Sequence, residues 1–239
     1  MALGPTQSKE TIAQIYSTST SQPAIRGGTI LSISDVVTIL PPGGVTGLEA
    51  EDVGSRITAE IPTILGLALG QIGIAAVSTV DGGLVTLDCG KIEIASGSSV
   101  GLLADNGTVT VNDALAIAMT GPNSYGVEAS GSGVVQINPG TTISTSGDGG
   151  LGIFAVAGGT VTANEITITT SGFLLPGGFN ADGAATTGGT IKLENSSITT
   201  RGDNGVTTSG GLGSLLNTGD GGNRRSWRAM QNAGLRIQC

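Results

Sequence analysis

Gly126-Val127-Glu128-Ala129 and, 26 residues further on, Gly152-Ile153-Phe154-Ala155 are two copies of one phrase: Gly, apolar, any residue, Ala. Earlier copies are Gly47-Leu48-Glu49-Ala50, Gly73-Ile74-Ala75-Ala76 and Gly101-Leu102-Leu103-Ala104. Gly178-Phe179-Asn180-Ala181 reads as a sixth copy, and Gly205-Val206-Thr207-Thr208 as a degraded seventh. Successive glycines are 26, 28, 25, 26, 26 and 27 residues apart. A fixed period in this range means stacked copies of one structural unit, each unable to bury its apolar side alone.

Two more landmarks keep the same register. A Gly-containing turn precedes an apolar strand at Gly27-Gly28-Thr29-Ile30, Gly54-Ser55-Arg56-Ile57, Gly82-Gly83-Leu84-Val85 and Asn106-Gly107-Thr108-Val109. It returns at Ser132-Gly133-Val134-Val135, Gly158-Gly159-Thr160-Val161 and Gly188-Gly189-Thr190-Ile191. A third segment follows, as in Val36-Val37-Thr38-Ile39, Lys91-Ile92-Glu93-Ile94 and Glu165-Ile166-Thr167-Ile168. Units close on Gly97, Gly121, Gly147 and Gly172, with Gly202 as a fifth closure. Each unit is therefore three short β-segments joined by Gly, Asn, Asp and Ser, the residues that accept positive φ in turns.

Alternation sets the faces. Val161, Ala163, Ile166 and Ile168 point inward, while Thr160, Thr162, Thr167 and Thr169 face out, with Asn164-Glu165 as the corner. No sustained helical stripe runs through residues 27–210. The predicted fold is all-β: a parallel β-helix of about seven three-strand turns, a rod roughly 30 Å long at the spacing of paired strands. The period exceeds that of a left-handed solenoid with short sides and favours the right-handed form. Leu48, Ile74, Leu102, Val127, Ile153 and Phe179 are expected in one internal column. The chain divides into an N-terminal segment or cap at 1–26, the repeats at 27–211 and a basic tail at 212–239 that is not expected to extend the stack.

Composition narrows the function. Glycine is 42 of 239 residues without a collagen period, and aromatics are only 3%. Residues 1–211 carry 6 basic and 17 acidic side chains, or −11, and residues 212–239 carry +3. An acidic rod repels nucleic acid and anionic lipid. Pro62 to Val80 is uncharged, yet Gly66, Gly70 and Gly73 interrupt it, so it reads as two strands and a turn rather than a membrane span. Cys89 follows Val85 and Leu87 at spacing two and reads as a small core side chain.

The chain has no histidine, which removes Ser-His and Cys-His nucleophiles and imidazole ligands. No cysteine spacing fits zinc, and no cofactor or metal is expected. Acids are dispersed one or two per turn, and Asp81, Asp105, Asp148 and Asp203 stand beside glycines as turn formers. Two readings remain for the chemistry of the surface. Arg201-Gly202-Asp203 is a candidate receptor-binding loop with spaced opposite charges, and also a tripeptide that chance supplies easily. Ile143-Ser144-Thr145, Ile166-Thr167-Ile168-Thr169-Thr170 and Ser197-Ile198-Thr199-Thr200 would stack hydroxyls into a flat ladder, of the kind able to bind ice, or simply form a solvated sheet face.

The units from Gly126-Val127-Glu128-Ala129 to Ile143-Ser144-Thr145-Ser146-Gly147, and from Gly152-Ile153-Phe154-Ala155 to Thr169-Thr170-Ser171-Gly172, resemble the passenger region of bacterial autotransporters, the pertactin-like proteins among them. The resemblance spans roughly residues 27–211. It implies a right-handed β-helix displayed outside a Gram-negative cell, at the outer membrane or secreted. It implies adhesion or host and cell contact, with a protein or glycan of a host or neighbouring cell as partner. Some members carry an Arg-Gly-Asp loop, which Arg201-Gly202-Asp203 would match. The family's signal peptide and translocator barrel have no counterpart here, and Asn223-Arg224-Arg225-Ser226-Trp227-Arg228-Ala229-Met230 breaks the repeat, so a truncated passenger is expected. The expected module is not an enzyme. The alternative is a polysaccharide lyase or hydrolase on a pectin-lyase-like β-helix, which would need carboxylates and a base gathered on one face.

Overall fold

The computed structural model describes residues 7–8, 24–25, 30–39, 46–51, 53–66, 70, 72–77, 82–173, 181–201, 206–208 and 214–218. Among them there is no helix, and every strand-to-strand pairing is parallel. The chain is a β-solenoid with three faces. The first face stacks the opening halves of Ile30–Ile39 and Arg56–Gly66, then Leu84–Leu87, Thr108–Val111, Val134–Ile137, Thr160–Asn164, Thr190–Glu194 and Ser214–Thr218. The second stacks the closing halves of those two long strands, then Gly90–Ile94, Leu115–Met119, Thr142–Thr145, Thr167–Thr170 and Ser197–Thr200. The third stacks Ala24–Ile25, Thr46–Glu51, Ile72–Val77, Val100–Asp105, Tyr125–Ser130, Leu151–Val156, Ala184–Thr187 and Val206–Thr208. About five turns have three separate strands, since in the first two the first and second faces run on as one strand, against the seven three-strand turns read from the repeats.

Three sets of inward side chains fill the interior. The first face supplies Ile57, Val85, Val109, Val135, Val161 and Ile191. The second supplies Ile64, Ile92, Ile117, Ile143 and Ile168, and the third supplies Leu48, Leu102, Val127 and Ile153. All are buried, each stabilising the fold by about 1.5–3 kcal/mol relative to exposure. The Thr160–Thr170 alternation is as expected: Val161, Ala163, Ile166 and Ile168 are buried, and Thr167 is exposed. Glu165 and its successor Asn195 turn that corner at φ 51° and 48°. Hydroxyls mend the ladder where it lapses at corners. Ser124 Oγ accepts from Ser99 N at 3.2 Å, Thr141 Oγ1 from Leu115 N at 3.3 Å and Ser196 Oγ from Ile166 N at 3.2 Å.

The repeat glycine has a steric cause. A Cβ on Gly47, Gly73, Gly101 or Gly126 would lie 2.5, 2.6, 2.5 or 2.7 Å from the carbonyl oxygen of the repeat glycine one turn on. The glycine before the first face meets an equal limit. A Cβ on Gly83, Gly133 or Gly159 would strike the carbonyl of Ala50, Ala104 or Ala129, the last residue of the repeated phrase. Both landmarks mark places where backbones of neighbouring turns touch.

The structure corrects four readings. The sixth copy of the phrase is not Gly178-Phe179-Asn180-Ala181. Ala184 pairs with Ile153, and Gly183 takes the glycine position against Gly152. Five extra residues are taken up before the third face, and Phe179 lies outside the described residues. Ile74 holds the expected register between Leu48 and Leu102, although its side chain is outside the described residues. On the first face the opening copy is displaced by one: Leu31, not Ile30, pairs with Ile57. Cys89 is not in a core column. The inward run ends at Leu87, and Cys89 is partly exposed at the corner, its Sγ 3.0 Å from Glu60 O. Finally, Ser214–Thr218 pairs with Thr190–Glu194, so the stack passes residue 211. Residues 219–239 lie outside the described set.

The glycine ladder predicts a specific weakness. Gly126→Ala forces a Cβ against Gly152 O and Ile143 Cγ2 and should cost about 1–3 kcal/mol by overpacking. Gln136→Thr, on the exposed first face, should change the melting temperature little. Thermal unfolding followed by circular dichroism compares them, and an equal effect of the two substitutions would contradict the steric reading.

Candidate functional site

Chemistry-bearing side chains fall on the outward sides of the three faces. The third face gathers the densest group. In register, Leu103, Glu128, Phe154 and Ala185 form one outward row, with Val100, Tyr125 and Leu151 on one side and Asp105, Ser130 and Val156 on the other. Leu151, Phe154 and Ala185 form a second buried cluster, separate from the interior, with Tyr125 and Val156 packed against it. The rings of Tyr125 and Phe154 are 5.4 Å apart and inclined by 54°, an aromatic contact of ordinary geometry.

Two carboxylates border these rings. Asp105 Oδ1 accepts from Ser130 Oγ at 3.0 Å and from Asn106 Nδ2 at 3.2 Å. Glu128 is half-buried, and burial, with the Asp105 charge second, raises its pKa above the ordinary 4.5. Burial and then the Glu128 charge push the Tyr125 phenol up to about 12. The arrangement sets two neighbouring carboxyls, one of them half-buried, beside an aromatic surface.

Other acids are engaged elsewhere. Lys91 Nζ lies 2.6 Å from Glu93 Oε1 on the second face, and Lys192 pairs with Glu194 on the first. Both pairs are largely exposed and contribute little. Asp148 is a turn former as read: its Oδ1 accepts from Phe173 N at 2.9 Å. Asp105 ends a strand rather than making a turn. Asp81 and Asp203 lie outside the described residues. Among the described residues no three His, Cys, Asp or Glu side chains gather as metal ligands. No helix there is long and apolar enough to cross a membrane, and Pro62 lies in the strand Arg56–Gly66, ahead of the strand Ile72–Val77.

Of the candidate receptor loop, Arg201 is described, and Gly202 and Asp203 are not. Arg201 is exposed where the chain leaves the second face, and its N donates to Thr170 O at 3.0 Å. The Thr-rich strands do stack: Thr142, Thr167 and Ser197 align, as do Ser144, Thr169 and Thr199. Glu128 was missed in the sequence because it occupies the variable position of the repeated phrase. Its neighbours Asp105 and Phe154 come from adjoining turns, and the 26-residue period was the signal that could have brought them together.

Comparison with protein-family models, with curated proteins and with solved structures returns no match. The class defined by the fold is the parallel β-solenoid repeat protein.

The raised Glu128 value carries a pH dependence. Because the folded chain holds this proton more tightly than the unfolded chain, its stabilising effect is full below the ordinary value of 4.5 and is lost as pH rises through the raised value. Glu128→Gln should therefore raise the melting temperature at pH 7 and change it little at about pH 3, below the ordinary glutamate value. Equal differences at both pH values would contradict this account.

Proposed function

We propose that this chain is a non-enzymatic, autotransporter passenger-type module acting in adhesion or cell contact at a bacterial surface. The observation that carries the reading is the outward patch of the third face. Val100, Leu103, Tyr125 and Val156 are partly exposed there, beside Glu128 and Asp105, on a rigid stack. Aromatic and apolar groups held on the outside of a repeat scaffold are the usual anchors of a binding surface. The acidic composition and the resemblance of residues 126–172 to passenger repeats support the same reading. The partner is a protein or glycan of a host or neighbouring cell, and Arg201-Gly202-Asp203 is a second candidate contact.

One observation favours the polysaccharide-processing alternative: Glu128 and Asp105 are neighbouring carboxyls, and burial raises the Glu128 pKa. Against it, the described lysines are paired with Glu93 and Glu194 on the other two faces, so no described lysine faces this pair. Purified protein is expected to release neither reducing ends nor unsaturated products from pectin-like or other polysaccharides. Measured release that Glu128→Gln abolishes would establish the alternative instead.

Adhesion is tested with beads coated by the purified chain and added to host and bacterial cells. Tyr125→Ala should weaken attachment by more than about fivefold, as loss of an aromatic anchor does, whereas Thr110→Ala on the first face should not. Antibody against the chain should label intact cells of the source organism. Attachment no better than that of uncoated beads, or labelling only after lysis, would overturn the reading.

A further inference from the structure

Among the described residues, the strands of the second face differ from those of the third in carrying neither rings nor unpaired charges. The outward side of the second face carries two ranks of hydroxyls over three consecutive turns. Thr142, Thr167 and Ser197 make one rank, and Ser144, Thr169 and Thr199 the other. All are exposed except Thr169, which is partly so. Beneath them the same two ranks continue as Ala116 and Ala118, and only one turn further down as the Lys91 and Glu93 pair. Buried Ile143 and Ile168 anchor the strands from behind.

Geometry fixes the array. Backbone positions within a rank repeat at about 4.8 Å, the rung spacing, and the ranks stand about 6.6 Å apart, two residues along a strand. Ser197 Oγ donates to Thr167 Oγ1 at 3.4 Å, so these two hydroxyls lean together across their rungs. The β-branched threonines are stiff at χ1, so ordering the array on binding costs little entropy.

The occupant follows from what the face offers and omits. Protein partners are commonly anchored by aromatic or Arg side chains, and sugar rings by an aromatic platform; the described strands Thr142–Thr145, Thr167–Thr170 and Ser197–Thr200 carry neither, and the exposed Arg201 stands just past the last of them. The face offers neutral hydroxyls and methyls at fixed intervals. Rows of oxygen atoms in ice repeat at nearly the rung interval. Water held on the two ranks is thereby already spaced as in the solid, while the methyls and the Ala116 and Ala118 side chains discourage competing arrangements. We propose that the second face is an ice-binding surface. This function is independent of the adhesion reading and stands or falls without it.

The test is ice-affinity partition of the full chain, with inhibition of ice recrystallisation as a second readout. The chain should enter slowly grown ice at least about tenfold more than a protein without such a surface, a difference of one decade in binding constant. Thr167→Tyr, which keeps strand propensity but breaks the array, should return partition to the background. Ser144→Tyr on the adjoining turn repeats the test if Thr167→Tyr does not fold, as judged by circular dichroism. Gln136→Tyr, on the exposed first face, should leave partition unchanged. Exclusion of the wild-type chain from ice would overturn the proposal. So would undiminished partition of a folded array variant, or equal loss in Gln136→Tyr.

Discussion

The stack depends on a close approach between glycines of neighbouring turns. At Gly47, Gly73, Gly101, Gly126 and Gly152 the backbone of one turn runs against the carbonyl of the next, with no room for a Cβ. The same glycines abut the Cγ2 methyls of Ile64, Ile92, Ile117, Ile143 and Ile168 from the second face. Two faces are thus brought together at a point where one contributes only backbone. The narrow interior follows, as do the small and β-branched inward residues and the scarcity of rings. A larger residue at one turn would lift that turn from its neighbour, and since each turn is stabilised by the next, the fault would propagate.

With the interior given over to packing, function is left to the outward sides, and these have separated. Among the described residues the first and second faces present mostly Thr, Ser, Gln and small apolar side chains, with isolated ion pairs and the exposed Arg56. The third gathers Tyr125, Phe154, Glu128 and Asp105 across neighbouring turns. Hydroxyl ladders suit an extended, periodic ligand. The mixed aromatic and acidic patch suits a discrete one. A single rod can hold both because its faces share a backbone but not their side-chain surroundings.

Much of this was legible beforehand. The phrase Gly-apolar-x-Ala identified the inward column through Leu48, Leu102, Val127 and Ile153, all buried. Alternation in Thr160–Thr170 identified the outward threonines and the corner at Glu165. What failed were readings that assumed the period instead of the contact. Gly178 keeps the count of residues, but Gly183 makes the contact with Gly152. Leu31 replaces Ile30 because the stack aligns it with Ile57. Cys89 keeps the alternation on paper, yet the strand has ended at Leu87 and the chain is already turning.

The sequence by itself determined a three-sided parallel stack, because the position of each landmark glycine and inward apolar residue recurs in every unit, and recurrence is a property of the linear chain. Only the tertiary structure decided which residues of different units meet. Glu128 is an unremarkable variable position along the chain. It becomes a half-buried acid only because the turns on either side place Asp105 and Phe154 next to it. Burial and charge act through space, at the distance between rungs, and the sequence records that distance only as a period of some 26 residues that the corners are free to lengthen.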